Sequence, residues 1–410
     1  MFSRTAALRA AISEAIPERP FSISFWDGTQ VPSSTGSGPT FLVRSPRAVA
    51  HVLRAPGELG LGRAYVTGLL DVDDIDAAMQ LVDEWQEPEI DLPTRLRLMA
   101  AAVRATGLTR LPRRPASELV LKGRPHTVDR DARAVRHHYD VANEFFELFL
   151  DPTMTYSCAV FSNGAQTLEE AQEAKLELVC SKLALSPGDR VLDVGCGWGS
   201  FAIHAATRHD VTVVGITLSE PQARLARERA AAAGVADRVE FRVMDYRELP
   251  DERFDAIASI GMIEHVGADQ VDAYARTLAR LLIRNPTRPG RLLNHGIAYL
   301  SHADVDAGDF SERYVWPDAA PLQLSLVLGA LERAGFVTRH VEDFPSDYAR
   351  TLTEWAARLD QHLDEAQALV GPERLRVWRL YLRAARLGFE TGFTSVYQAR
   401  CELVAEPLVP

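Results

Sequence analysis

Short apolar runs alternate with amphipathic stretches along residues 190–300. Val191–Val194, Val211–Thr217, Val239–Asp245, Phe254–Ile260 and Arg291–Ala298 each read as a buried strand bounded by turn signals. Between them, Phe201–Arg208, Ser219–Ala233 and Asp269–Arg284 carry apolar residues at helical spacing. Ser219-Glu220-Pro221 marks a helix start and Gly234 a stop. This alternation predicts an α/β fold with a doubly wound parallel sheet, whose ligands sit at the C-terminal ends of its first strands. A helix over Pro321–Ala334, a strand near Val337–Phe344, helices across 347–390 and a strand over Ser395–Glu402 complete it.

Residues 1–115 read as a separate small α/β unit. Phe21–Trp26 alternates as a strand, Asp27-Gly28 turns it, and Thr40–Val43 supplies a partner. Helices are expected from Ser45-Pro46 through Leu53, over Asp73–Trp85 and over Pro93–Leu108. On the last, Leu96, Met99, Ala100 and Val103 share a face expected to pack inward, with Arg97 and Arg104 off it. The same pattern also suits a basic helix lying on a membrane surface. A Pro/Arg-rich stretch places a linker at 116–128, which leaves 129–410 as the second domain, with a helical insertion at 347–390.

The segment Arg190–Gly199 joins strand to helix through Gly195-x-Gly197-x-Gly199. Such a turn lets a nucleotide meet bare backbone at a helix N-terminus. It lacks the two-residue gap before the third glycine that dinucleotide folds use for pyrophosphate, and no lysine-bearing phosphate loop follows. S-adenosylmethionine therefore fits better than a nicotinamide cofactor. Thr217, Asp245, Glu264 with His265, and His295 fall at successive strand ends, where such a sheet builds its site. Glu264 and His295 read either as a buried structural pair or as groups positioning an acid or base.

Composition narrows the function classes. A net charge of −11 over 410 residues argues against nucleic acid as a partner. Asp91–Asp140 is nonetheless a basic island, with eleven Lys or Arg against five Asp or Glu. Cys158, Cys180, Cys196 and Cys401 are scattered without metal-ligand spacing, so no metal is expected, and the pattern is that of a reduced, intracellular chain. With no apolar run of membrane-spanning length, a cytoplasmic protein is expected, peripheral at the inner face of the membrane if it meets lipid.

Taken together, several stretches resemble the cyclopropane fatty acid synthases and mycolic acid methyltransferases. The likeness rests on His138-Tyr139-Asp140-Val141-Ala142-Asn143, Leu150–Ala159, Val191–Gly199, Gly215–Ser219 with Gln222, and Ser259–Gly267, in order over about residues 130–403. It implies a Rossmann-like class I S-adenosylmethionine-dependent methyltransferase sheet with helical insertions. Gly195 and Gly197 would lie under the methionyl part of the cofactor with Asp193 nearby, and Thr217 and Gln222 on the ribose and adenine side. Tyr156 and Ser157 would close over it, with Asp245 and Ile260 completing the set. The resemblance also implies a bicarbonate ion held by Cys158, Glu264, His295, the backbone of Ile297, and Tyr348.

The implied substrate is a membrane phospholipid with an unsaturated acyl chain. Methylation of its cis double bond gives a carbocation that Tyr156, Phe145, Phe146 or Tyr348 could face. Immediate proton loss closes a cyclopropane ring; proton loss after a hydride shift leaves a methylene branch. Phe25–Gly28, Leu42–Ala48, Ala55–Leu61 and Leu292–His295 resemble the actinobacterial enzymes that make 10-methylene chains, precursors of 10-methylstearate-type lipids. That product is expected, with the ring as the alternative, and a saturated branch then requires a flavin- or nicotinamide-dependent reductase as partner. Glu147 adds a carboxylate that reads either as a solvated helix residue or as a group reaching the base site, where it would replace or assist bicarbonate, with Glu144 as its competitor. Residues 1–115 are expected to serve lipid or dimer contact in a homodimer. An inactive lipid-binding module is the remaining alternative, and the full set of site residues counts against it.

Overall fold

Phe25, Val31, Val43 and Leu70 give one small sheet its core face. They belong to a computed structural model that describes residues 4–86, 88–107, 112–119, 126–131, 133, 142–299, 309–315 and 321–404. The chain forms two compact units, one of residues 1–120, 307–315 and 363–387, the other of 121–306, 316–362 and 388–410.

The first unit opens with α1 (Ala6–Ala15), β1 (Ser22–Phe25), β2 (Gln30–Val31), β3 (Thr40–Val43), α2 (Pro46–Arg54), α3 (Glu58–Val66), β4 (Leu70–Val72), α4 (Ile75–Glu84) and α5 (Leu92–Thr106). Its strands run in the order β2-β1-β3-β4, with β1 and β3 parallel. Ser45 accepts the Arg47 N–H and starts α2, with Pro46 in the first turn. The glycines at 57, 60 and 62 read as loop punctuation, yet α3 runs through two of them. At Gly60 a Cβ would meet the Ala55 carbonyl at 2.1 Å, so glycine there permits a close backbone approach.

Two expectations are corrected in this unit. The face of α5 expected inside points outward: Leu92, Leu96, Met99 and Val103 are 67, 57, 45 and 50% exposed. Ala101, Ala102 and Ala105 are buried instead, because small side chains let α5 approach its neighbours closely. The stretch expected to begin a linker also starts inside this unit. Glu118 is buried and accepts a two-pronged bond from Arg63 at 2.8 and 2.7 Å, plus the Tyr314 hydroxyl at 3.2 Å.

The second unit holds α6 (Asn143–Glu147), α7 (Leu168–Lys182), β5 (Arg190–Val194), α8 (Ser200–His209), β6 (Thr212–Thr217), α9 (Glu220–Ala232), β7 (Val239–Val243), β8 (Ala256–Ile260), α10 (Val271–Leu281) and β9 (Arg291–Tyr299). After α11 (Asp309–Tyr314), which groups with the first unit, come β10 (Leu322–Gln323), α12 (Leu324–Arg333), β11 (Phe336–Asp343) and α13 (Pro345–Gln361). Of α14 (Leu363–Val370) and α15 (Pro372–Glu390), residues 363–387 group with the first unit, so the expected insertion at 347–390 is divided between the two. β12 (Thr394–Leu403) ends the described chain.

The large sheet has the order β11-β12-β9-β8-β5-β6-β7, with β10 beside β9. β5 to β9 are parallel, whereas β12 runs antiparallel between β9 and β11. Alternate residues of β5 serve opposite cores: Leu192 and Val194 pack on one face, Val191 on the other. A strand covered on both sides must be apolar throughout, which is why this sheet is so visible in sequence.

Candidate active site

The glycine turn at the end of β5 gives the site its floor. The N–H groups of Gly195 and Cys196 both donate to the Ile216 carbonyl, at 3.0 and 2.9 Å, which ties the turn to β6. Gly199 sits at φ +81° immediately before α8, and a Cβ there would lie 2.6 Å from the Phe241 ring. Gly197, at φ +52°, faces open space. The two positions separate packing from ligand approach. Gly199→Ala is expected to lower stability by about 1–3 kcal/mol through backbone strain alone, read by denaturant unfolding. Gly197→Ala carries the same positive-φ strain without a clash, so it is expected to cost the fold less than Gly199→Ala and to weaken cofactor binding more, read by calorimetry against Tm.

The nine residues expected around the cofactor line one cavity: Tyr156, Ser157, Asp193, Gly195, Gly197, Thr217, Gln222, Asp245 and Ile260. Thr217 and Gln222 are buried and bonded to each other at 2.7 Å, with Ser219 capping the start of α9. Asp245 is gripped in a fork by Arg247, at 2.8 and 2.6 Å, and Arg247 also reaches Asp131 at 2.8 Å. Asp193 is fully buried, and burial pushes its carboxyl up to about 7. Its Oδ2 has no partner among the described residues.

The cavity wall is aromatic. Trp198 is buried and its indole N–H donates to Asn143 at 2.8 Å; His138–Val141 of that motif lie outside the described residues. Phe145, Phe146 and Phe149 are fully buried and meet edge to face or tilted. Phe146 contacts Tyr156 and Trp198, and Tyr156 stacks on Trp355 at 5.1 Å. Of the aromatic residues expected to face a cation, Tyr156 lines the cavity, while Phe145 and Phe146 are core.

Cys158, Glu264, His295, Ile297 and Tyr348 lie outside that lining; bonds across β9 and β12 link Glu264 to Ile297, and Cys158 and Tyr348 to Phe344. Glu264 Oε1 accepts the Ile297 N–H at 2.6 Å. Val396 pairs with Ile297, and its carbonyl accepts the Phe344 N–H at 2.8 Å. The Phe344 carbonyl in turn receives the Tyr348 N–H at 3.0 Å and the Cys158 thiol at 3.8 Å. One expectation changes here: the Ile297 N–H is spent on Glu264 rather than free for an ion. Desolvation pushes the Glu264 carboxyl up to about 7, and its Oε2 has no partner among the described residues. Burial also drives the Cys158 thiol well above its ordinary value, so it is a neutral wall rather than a nucleophile.

His295 is neutral and its tautomer is set. Burial, with the charges of Lys175 and Lys182, lowers it to about 3. Gln398 Oε1 accepts from Lys182 at 2.8 Å, so its amide nitrogen faces His295 Nδ1 at 3.1 Å. An amide NH₂ only donates, so Nδ1 is the acceptor and Nε2 carries the proton.

Of its two readings, Glu147 takes the solvated one. It is exposed on α6, outside the cavity lining, with its charge felt by Arg229; Glu144 is exposed as well. Neither is drawn into the cluster around Glu264. Conversely, the site uses residues that the sequence motifs do not single out. Lys175 is fully buried on α7, lines the cavity and donates to Ser157 Oγ at 2.9 Å. Desolvation lowers it to about 8, against the pull of Asp151, Cys158 and Asp193.

This sheet order and this glycine-floored cavity define an S-adenosylmethionine-dependent methyltransferase. Residues 126–399 match the mycolic acid cyclopropane synthetase family, and the chain belongs to it. It is 37% identical to the probable fatty acid methyltransferase of Pseudomonas putida, over 92% of this chain and 91% of the relative. It is 32% identical to the cyclopropane-fatty-acyl-phospholipid synthase of Escherichia coli K12, over 88% of each. It is 30% identical to the tuberculostearic acid methyltransferase UfaA1 of Mycobacterium tuberculosis, over 96% of this chain and 91% of that one. Among solved structures, the mycolic acid cyclopropane synthase CmaA1 complexed with SAH and CTAB superposes with a TM-score of 0.62 at 34% identity, covering 66% of this chain and 98% of that one.

Proposed function

We propose that this chain methylates the cis double bond of an unsaturated acyl chain on a membrane phospholipid and releases a 10-methylene acyl chain. The observation that carries the reading is Glu264: a buried carboxyl pushed up to about 7, with Oε1 on the Ile297 N–H and Oε2 without a partner among the described residues. The acyl and phospholipid specificity is taken from what the E. coli and tuberculostearic relatives are named for.

When bound, S-adenosylmethionine supplies an electrophilic methyl group; the unpartnered Asp193 Oδ2 and the open Gly197 floor suit it. An alkene has no proton that a base could remove first. The chain's contribution is therefore alignment, for which about 7–11 kcal/mol is available. The alkene π-electron pair would form the new carbon–carbon bond as the methyl–sulfur bond breaks, its electron pair staying on sulfur as the thioether, and the positive charge passes to the acyl chain. Tyr156, backed by Trp355, offers its ring face to that charge, for about 1–2 kcal/mol once water is excluded. Ionised Glu264 then takes a proton; Cys158, Glu264, His295 and Tyr348 are the residues that would hold a bicarbonate, which would supply a second base there. The His295 Nε2–H and a protonated Glu264 would suit such an anion. Proton loss from the added methyl closes a cyclopropane at once, or, after a 1,2-hydride shift, leaves the methylene. The methylene product rests on the N-terminal sequence likeness, and the E. coli relative favours the ring as the second reading. A saturated branch would need a separate flavin- or nicotinamide-dependent reductase.

The test is expression in a host rich in oleoyl phospholipid, with fragmentation mass spectrometry and proton NMR of the extracted lipids. Vinylidene protons and a gain of one CH₂ are expected. Cyclopropane protons would overturn the methylene assignment, and no label transfer from radiolabelled S-adenosylmethionine to lipid would overturn the whole reading.

The same proposal places the chain on an anionic lipid surface through α5. Leu92, Leu96, Met99 and Val103 recur at i, i+4, i+7 and i+11 as one exposed stripe, with exposed Arg95 beside it. A basic amphipathic helix of this kind lies in the headgroup plane. No helix among the described residues is long and apolar enough to cross a membrane. Leu96→Glu with Met99→Glu is expected to lower sedimentation with phosphatidylglycerol vesicles roughly 10-fold or more while S-adenosylmethionine binding holds. Unchanged sedimentation would remove α5 from the docking surface.

A further inference from the structure

Away from the cofactor cavity, α7 and α8 are neighbours, and one patch between them gathers four metal-type donors. Glu177 Oε2 lies 3.2 Å from His204 Nε2 and 3.1 Å from His209 Nε2. Cys180 follows Glu177 by three residues, on the same side of α7. Its thiol is fully buried, and one ligand atom each from Cys180, His204 and His209 lies within 4.8 Å of the other two. None of the four residues lines the cavity. Sequence spacing conceals the group, since its two halves come from different helices.

Ion pairing explains part of this patch. A carboxylate shared by two imidazoles is an ordinary surface arrangement, but it does not require a thiol behind them. With the thiol the donor set is one sulfur, two imidazole nitrogens and a carboxylate oxygen. Hard cations such as Mg²⁺ and Ca²⁺ prefer oxygen alone; sulfur with imidazole suits borderline divalent ions. Tetrahedral zinc, with bonds of about 2.0–2.3 Å, spaces its ligand atoms about 3.3–3.8 Å apart. The Glu177–His spacings are near that, the donor atoms of Cys180, His204 and His209 lie within 4.8 Å of one another, and the Glu177 carboxylate, which is not part of that trio, must swing toward Cys180 to complete the set. Glu177 is half-exposed and free to pivot, while Cys180 is anchored.

We propose that Cys180, His204, His209 and Glu177 bind one borderline divalent cation, Zn²⁺ foremost, as a clip between α7 and α8. Cys180 enters as thiolate, and its proton passes to solvent as the sulfur–metal bond forms. The clip is structural in consequence. α8 begins at the glycine turn, so fixing its far end to α7 braces the helix that carries the cavity floor.

The experiment uses the full chain without an affinity tag, stripped with a chelator and titrated with Zn²⁺ by calorimetry and with Co²⁺ by absorption. One cation per chain, a raised Tm, strong tetrahedral visible bands and a near-ultraviolet thiolate-to-cobalt band are expected. Cys180→Ser should erase the thiolate band. Glu177→Gln, at a half-exposed position that leaves the fold intact, should weaken Zn²⁺ about 10- to 100-fold; His209→Gln should weaken it at least as much. Absence of saturable binding in the parent chain, or a cobalt spectrum and Zn²⁺ affinity unchanged across these variants, overturns the proposal.

Discussion

Glu264→Gln is expected to lower kcat about 10²- to 10⁴-fold, the usual worth of a positioned general base, while S-adenosylmethionine still binds. The glutamine can keep the bond from the Ile297 N–H that now reaches Oε1. What it cannot do is take up a proton. In the parent enzyme activity should rise with pH through about 7, where this carboxyl ionises, and the inflection should vanish in the variant. Stability should move the opposite way. The folded chain holds this proton to about 7, against 4.5 for an ordinary glutamate carboxyl. At low pH both states are protonated and the residue costs nothing. As pH rises the unfolded chain ionises first, so the parent loses stability progressively, by up to about 3 kcal/mol once above pH 7. The variant escapes that loss, and its Tm should exceed the parent's at about pH 8 but not at about pH 4. An inactive variant with no gain in Tm at the higher pH would point to a purely structural carboxyl.

Lys175→Met is the second large effect. The ammonium donates to Ser157 Oγ and faces the carboxylates of Asp151 and Asp193 from within the core. Removing it unties the segment expected to close over the cofactor and leaves Asp193 without its nearest positive charge. Loss of one charge-assisted hydrogen bond is worth about 1.5–3 kcal/mol, so Kd for S-adenosylmethionine should rise about 10- to 100-fold. Lys182→Met, whose charge acts on His295 through Gln398, makes the control. It should leave cofactor affinity alone and alter turnover. Equal loss of cofactor affinity in both variants would show that Lys175 has no specific part.

These two lysines also mark where sequence reading stops. The sheet was legible because strands buried on both faces leave apolar runs, and the strand-end residues inherit their place from it. Asp193, Thr217 and Ile260 reach the cavity for that reason, whereas Tyr156 and Ser157, which precede the sheet, were marked only by the family resemblance. Lys175, Arg247 and Gln398 carry no such mark. Each reads locally as an ordinary polar residue, and only tertiary folding aims it at the site. Glu147 is the converse case: its motif left a solvated helix carboxylate and a base both open, and only the folded helix, which turns it outward, separates them. On α5 hydrophobicity itself misled, since the largest apolar side chains face out and three alanines do the packing.

β12 has a consequence in time. It lies between β9 and β11, and its Gln398 sets His295 from 103 positions further along the chain. Until residues 394–403 have been synthesised and inserted, β9 presents an open edge and His295 has no fixed tautomer. The glycine floor, by contrast, is built from residues 190–217, whose partners are local in sequence. A growing chain would thus have the elements of its cofactor floor well before those of its proton-handling centre. The last strand acts as a commissioning step, and a chain interrupted before it would lack the fixed His295 at that centre.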